Sequence, residues 1–158
     1  MFRPKAVCFV DYMIYATNKK VFHDFEILEK IEAGISLFGS EVKSVRAGAI
    51  SLKGSYITIH NGEAYLTGAT ISAYKYAPKE SHKTDRSRKL LLNKNELRRL
   101  TGKKEEQGLT IVPLSVYTGS TGKIKVEIAI ARGKRQYDKR ETIKRRDIER
   151  NLRERMKQ

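Results

Sequence analysis

The stretch Ser55-Tyr-Ile-Thr-Ile-His-Asn-Gly-Glu-Ala-Tyr-Leu-Thr67 reads as a β-hairpin. Ile57 and Ile59 alternate with Tyr56, Thr58 and His60, the two-residue period that sends one set of side chains to a core face. Asn61-Gly62 follows, and a tight two-residue turn wants positive φ at both positions, which Asn and Gly tolerate best. Residues 63–67 then return as the partner strand. The same alternation recurs in residues 123–130, where Ile124, Val126, Ile128 and Ile130 face one way and Lys123, Lys125 and Glu127 the other. Residues 109–117 form a further strand, in which Pro113 marks an edge or a bulge because it has no amide for a ladder. Residues 25–35 complete the set, with Gly34 as a bulge or bend.

Two helices interrupt the strands. Residues 40–47 place Val42 and Val45 on one face, with Gly48 positioned just past the end. Residues 93–101 begin at Asn93 as cap, carry Glu96 three positions later, align Leu97 and Leu100, and stop at Gly102. Five or six short strands with one or two inserted helices predict a mainly β fold closed into a small antiparallel barrel. The length of 158 residues suits one domain.

Charge divides the chain further. It carries 33 Lys and Arg against 18 Asp and Glu, a net +15 that points to nucleic acid before anionic membrane. Residues 132–158 hold 12 basic and 5 acidic residues, so almost half of the surplus lies in about a sixth of the length. The other residues keep 21 basic and 13 acidic, with nine of the cations between His82 and Lys104. This predicts a folded body with one basic face and a basic tail. In the tail Ile148, Leu152 and Met156 recur every four residues, a stripe one residue wide on an otherwise charged helix. So narrow a stripe does not repay the ordering entropy of the segment. Residues after about 133 are therefore expected to be disordered alone and helical on an anionic partner. The plainer alternative is a solvated helix packed on the body. An anionic-membrane or chaperone module would need a wider apolar face.

Nothing in the sequence is poised for catalysis. His23, His60 and His82 lack metal-ligand spacing, and the single cysteine, Cys8, excludes an internal disulfide and a cysteine-based zinc site. Residues 34–39 have the glycine spacing of a phosphate-binding loop, but Ser40 and Glu41 stand where Lys and Ser or Thr are needed. No metal or cofactor is expected, and the absence of a visible signal peptide leaves the cytoplasm as the default compartment. Binding has better support. Tyr74 and Tyr76 flank the approach to the basic segment, and Tyr137 stands among Lys134, Arg135, Lys139 and Arg140 without apolar neighbours, which suits stacking on a nucleobase.

Five strings carry a resemblance: Ala16-Thr-Asn-Lys-Lys20, Glu32-Ala-Gly-Ile35, Gly39-Ser-Glu-Val-Lys-Ser44, Arg88-Lys-Leu-Leu-Leu-Asn93 and Arg132-Gly-Lys-Arg-Gln-Tyr-Asp-Lys-Arg140. In this order and spacing, from about Ile14 to the C-terminus, the chain closely resembles the small protein B (SsrA-binding protein) family of bacteria. The resemblance implies an OB-type β-barrel over residues 13–132 and a tail over 133–158 that is unstructured in the free protein. It implies a role in trans-translation: binding the tRNA-like domain of transfer-messenger RNA and delivering it to ribosomes stalled on mRNA lacking a stop codon. The tail would enter the empty mRNA channel as a helix and stand in for codon–anticodon pairing. Elongation factor Tu and alanyl-tRNA synthetase would be met only through the charged RNA, and the protein would act as a monomer. A general OB-type single-strand-binding or ribosome-assembly protein with the same basic face is the alternative.

Carried over by residue, Glu32 matches an acidic contact whose carboxylate would accept from base amino or imino groups; bracing of neighbouring loops is its plainer role. Leu91 and Asn93 match binding positions, although Leu91 also suits the core and Asn93 the helix cap. Lys125 matches a further contact on the polar side of its strand. Asn18, Lys19, His23, Lys43 and Arg46 lie in matching motifs. Gly133, Lys134, Arg135, Tyr137, Asp138, Lys139 and Arg140 match the stretch placed near the decoding centre. There Gly133 would permit a sharp exit, Tyr137 would stack, the cations would meet rRNA phosphates, and Asp138 would make a specific hydrogen bond or cap a helix. Ile148, Leu152 and Met156 would line the channel wall. Two departures stand out: His82-Lys-Thr-Asp-Arg86 lacks the family's proline, and residues 1–12 have no counterpart, so Met13 is the expected natural start.

Overall fold

The computed structural model describes residues 13–76, 83–106, 108–134 and 136–155, without the side chains of 136–142, 151 and 155. Cys8, His82, Arg135 and Met156 thus lie outside the described residues, as do the side chains of Tyr137, Asp138, Lys139 and Arg140. In chain order the elements are β1 (Met13–Thr17), α1 (Lys19–Asp24), β2 (Phe25–Ile35), α2 (Gly39–Arg46), β3 (Ile50–Ser51), β4 (Tyr56–His60) and β5 (Glu63–Thr67). They continue as β6 (Thr70–Ile71), β7 (Arg88–Leu91), α3 (Lys94–Glu105), β8 (Leu109–Thr118), β9 (Ile124–Gly133) and α4 (Gln136–Arg155).

The hairpin forms as its sequence requires. Asn61 and Gly62 take φ of 50° and 71°, and Ile57 pairs with Leu66 and Ile59 with Ala64 across the turn. Seven antiparallel strands make one sheet in the order β1-β8-β9-β2-β7-β5-β4, beside a two-stranded ribbon of β3 and β6. The sheet curls until β4 lies against β8, but its outer strands β1 and β4 share no ladder. The expectation of a closed barrel is corrected on this point. Inward–outward alternation is the same in a curled open sheet and in a closed one, so the pattern alone does not specify closure.

The curl encloses the core. Val126 and Ile128 are fully buried and Ile130 nearly so, and they pack with Leu66, Ile71, Leu100 and Val116. The opposite face of β8 and β9 is not wholly polar. Ala129 and Ala131 lie with Val112 and Leu114 beneath Val21 of α1, a second small apolar cluster. β1 and α1 had no clear pattern in the sequence.

Three local expectations change. β8 is an interior strand, so the edge reading of Pro113 falls, while its bulge reading agrees with the register shift between Pro113 and Ser115. The register shift of β2 falls between Ile27 and Glu29 rather than at Gly34. Gly34 instead sits where β7 and β9 both approach, and a Cβ there would lie 3.2 Å from Leu91 Cβ. Gly102 does not stop α3, which runs on to Glu105. α2 ends as expected: Gly48 has φ 78°, its amide donates to Val45 O and that of Ala49 to Ser44 O.

Candidate nucleic-acid interface

Glu32, Leu91, Asn93 and Lys125 come from β2, β7, the start of α3 and β9, and the sheet order brings them together. Gly34, two residues beyond Glu32, is opposite both Leu91 and Lys125. Glu32, Leu91 and Asn93 line a groove of about 550 Å³ together with Glu63, Lys89 and Glu96. Leu91 is 56% exposed while Leu90 is buried, so the strand's alternation turns Leu91 outward and the core reading of it falls. Asn93 is exposed at the start of α3, and its backbone amide donates to the Glu96 carboxylate at 3.0 Å. That carboxylate satisfies one of the free amides at the helix N-terminus and leaves the Asn93 side chain facing solvent.

On the outer sheet face the Lys125 ammonium donates to Glu32 Oε1 and the Tyr117 hydroxyl to Oε2. The donation from Lys125, then that from Tyr117, holds the Glu32 carboxyl below the usual carboxylate range, against a smaller upward push from burial. Glu32 therefore does brace its strand neighbours, but half of it stays exposed. A carboxylate has about four acceptor directions, so two donors leave room for the N–H groups of a base edge. A second cluster of the same composition stands on the groove's other side. Glu63 receives Lys89 on Oε1 and the Tyr65 hydroxyl on Oε2, at 2.6 Å for the latter. Here too Lys89 first and Tyr65 second lower the carboxyl, and Glu63 in turn raises both partners. Tyr117, Glu63, Tyr65 and Lys89 escaped sequence reasoning, because cross-strand neighbours emerge only from the register.

Beneath this surface a buried ion cluster ties α2 to β7. Glu41 and Arg88 are both fully buried. Glu41 Oε1 accepts from Arg88 Nε at 3.0 Å and Arg86 Nε at 2.9 Å, and Oε2 accepts from the Phe38 amide at 2.9 Å. The other Arg88 nitrogens donate to the carbonyls of Ala69, Arg86 and Thr84 at 2.8–2.9 Å. Burial pushes the Glu41 carboxyl up, but donation from Arg86 and Phe38 and the charges of both arginines outweigh it and leave it lowered. The same burial pulls Arg88 down against the attraction of Glu41. The sequence signal was available: Glu41 and Arg88 both lie in the quoted strings, but as motif members without a structural role.

The remaining residues separate. Asn18 is 6% exposed, and Nδ2 donates to Leu52 O at 3.1 Å and Pro113 O at 3.4 Å. It pins the β1–α1 junction. Lys19 is exposed on α1. His23 Nδ1 lies 2.9 Å from Asp24 Oδ1, and Lys134 donates its amide to Asp24 O at 2.9 Å and its ammonium to Phe22 O at 3.2 Å. The root of the tail is thus tied to the end of α1. Lys43 and Arg46 are exposed on α2, and Arg46 donates to Gly122 O at 3.2 Å in the β8–β9 turn. Gly133 pairs with Phe25 in extended backbone with nothing within 4 Å of an added Cβ, so a glycine is not what the exit requires. α4 is helical through Tyr137, Asp138, Lys139 and Arg140, and its apolar residues Ile143, Ile148 and Leu152 are 44–60% exposed.

Among the described residues there is no group of acidic, His or Cys side chains that would hold a metal, and no helix long and apolar enough to cross a membrane. The model of the SmpB protein family matches residues 15–158. The SsrA-binding protein of Sulfurihydrogenibium sp. (strain YO3AOP1) is 56% identical over 139 residues, covering 88% of this chain and 91% of that protein. That of Thermosipho melanesiensis is 51% identical over 144 residues, 91% and 98% of the two chains. A solved structure described as "tmRNA-SmpB: a journey to the center of the bacterial ribosome" aligns with TM-score 0.65 at 46% identity, over 81% of this chain and 93% of that one. With a groove assembled from the segments that carry the family strings and a family match across nearly its whole length, the chain belongs to the SmpB protein family.

Proposed function

We propose that the chain is the non-catalytic RNA-binding adaptor of trans-translation, binding the tRNA-like domain of transfer-messenger RNA and bringing it to stalled ribosomes in the cytoplasm. The observation that carries this reading for the body is the convergence of Glu32, Leu91 and Asn93 on one exposed groove, with Lys125 bonded to Glu32 beside it. Such a site offers an acceptor, an apolar surface, an amide and a neighbouring cation. Phosphate contacts alone carry no sequence or shape information; the Glu32 carboxylate adds a contact to base edges that repels phosphate.

The curled sheet supports an OB-type architecture opened at one seam, with the groove on its outer face. α4 supplies the second function. Its apolar residues Ile143, Ile148 and Leu152 stay about half exposed, which supports a helix whose apolar side is completed in the mRNA channel. There Gly133, Lys134, Arg135, Tyr137, Asp138, Lys139 and Arg140 would approach the decoding centre, and Ile148, Leu152 and Met156 the channel wall. The protein acts as a monomer, and elongation factor Tu and alanyl-tRNA synthetase are met through the charged RNA.

Fluorescence anisotropy at moderate salt tests the body. The tRNA-like domain should bind far more tightly than a single strand of equal length, and equal affinity would overturn the reading, because only phosphates would then be recognised. Truncation after Arg132 tests the division of labour: binding of transfer-messenger RNA survives while tagging on stalled ribosomes is lost.

A further inference from the structure

Along α2 the surface carries aromatic rings and cations that neither the core nor the groove uses. Lys43 and Arg46, three residues apart, share one helix face. Lys43 Nζ lies 5.4 Å from the centre of the Tyr74 ring, and the Tyr76 ring stands edge-on to Tyr74 with centroids 5.6 Å apart. Lys75 Nζ is 5.7 Å from the Tyr76 ring. At the other end of the helix the Arg86 guanidinium covers Phe38 at 4.2 Å while its nitrogens are held by Glu41. Tyr76 remains 78% exposed and Phe38 54%.

Rings of this size bury 150–250 Å² when they pack, roughly, and are usually covered. Here they are left open, each beside a cation, and Asp85 is the one exposed carboxylate in the adjoining 83–88 segment. Every nucleobase has a π-face to stack and every nucleotide a phosphate to neutralise. A protein partner would need a continuous apolar patch, which the interleaved lysines and arginine interrupt. We propose that this strip is a second contact for transfer-messenger RNA, in which unpaired bases stack on Tyr76 and on the Phe38–Arg86 pair while Lys43 and Arg46 meet the adjoining phosphates. The proposal rests on the reading of the groove as the transfer-messenger RNA site. Arg46 joins the two: it bonds to the turn between β8 and β9, the strands that carry Tyr117 and Lys125. α4 leaves from the opposite end of β9, so ribosomal RNA along the tail would be met elsewhere.

The test is anisotropy of labelled tRNA-like domain with the full chain and its variants. Tyr76→Ala and Phe38→Ala should each weaken binding by about 5- to 150-fold at fixed salt, as loss of one stacked base does. Their slope of log affinity against log salt should match the parent, whereas Lys43→Ala should reduce that slope by about one. Tyr76→Phe keeps the ring and should keep the affinity. Because the rings are exposed, all variants should melt within about 2 °C of the parent. If both alanine variants bind within twofold of the parent, or lose affinity only for vacant ribosomes, the strip is not this contact. Glu32→Ala and Asn93→Ala run in parallel. Loss there with the aromatic variants unaffected removes the strip alone; loss in the aromatic variants only removes the groove and keeps the strip.

Discussion

Replacing Glu41 by Gln removes a charge from the best-enclosed polar cluster of the molecule and leaves two arginines facing a neutral amide. Arg88 is fully buried and Arg86 is 25% exposed, so Arg86 can turn to solvent but Arg88 cannot. Stranding one member of a buried pair costs about 3–5 kcal/mol, a large part of the roughly 5–15 kcal/mol that holds a domain together. For a body of this size about 1 kcal/mol moves the melting temperature by roughly 4 °C, so Glu41→Gln should lower it by about 12–20 °C. The Glu41→Leu/Arg88→Met double variant contains no stranded charge and should melt above Glu41→Gln, a coupling that a double-mutant cycle reads directly. The acid limb gives a second signature. Because the folded carboxyl is lowered, the unfolded chain takes up its proton first. The contribution is complete above the ordinary carboxylate pKa and drains as pH falls toward the lower folded value; Glu41→Gln should flatten that limb. Circular dichroism melts at pH 7 and across the acid range measure both. A fall of less than about 4 °C at pH 7 would refute the claim that this cluster ties α2 to β7.

Further outcomes follow from the same geometry. Gly34→Ala places a Cβ 3.2 Å from Leu91 Cβ, so Leu91 must shift; binding of the tRNA-like domain should weaken several-fold, with a stability cost on the order of 1 kcal/mol, read by anisotropy and urea titration. Asn18→Ala leaves the Leu52 and Pro113 carbonyls without their buried donor and should cost about 1–3 kcal/mol, while RNA affinity per folded molecule stays at the parent value. Amides of residues 136–155 should exchange rapidly in the free chain and slow on the ribosome; protection already equal to that of β9 in the free chain would refute a helix formed on binding.

The hairpin, β9, α2 and α3 were legible because each is a local matter of period, turn residue and cap. Glu32, Leu91 and Asn93 stood out as candidates through the family strings, and Lys125 as a further family match on the polar side of its strand. What brings them together was not legible: β7 enters the sheet between β2 and β5, and no local pattern states which strand is its neighbour. The same gap hid Tyr117 beside Glu32 and the paired cluster of Glu63, Tyr65 and Lys89, since side chains meet across strands only once register is set. The structural role of Asn18 was hidden for the opposite reason. A polar residue within a binding motif reads as a contact, yet its amide is spent on two backbone carbonyls where β1 turns into α1.

The net charge of +15 acquires a geometry from β2. At its start Phe25 pairs with Gly133, where the tail departs, and Asp24 and Phe22 hold Lys134. Glu32 lies seven residues further along the same strand, beside Lys125 and the groove. At about 3.3 Å per residue the two sites stand roughly 20 Å apart, beyond the screening length of about 8 Å at physiological salt. Charges at one end therefore do little to hold RNA at the other. One strand thus fixes the spacing between the two proposed RNA contacts and keeps them electrostatically independent, and an insertion that changes the length of β2 would alter their relation without removing a single side chain from either.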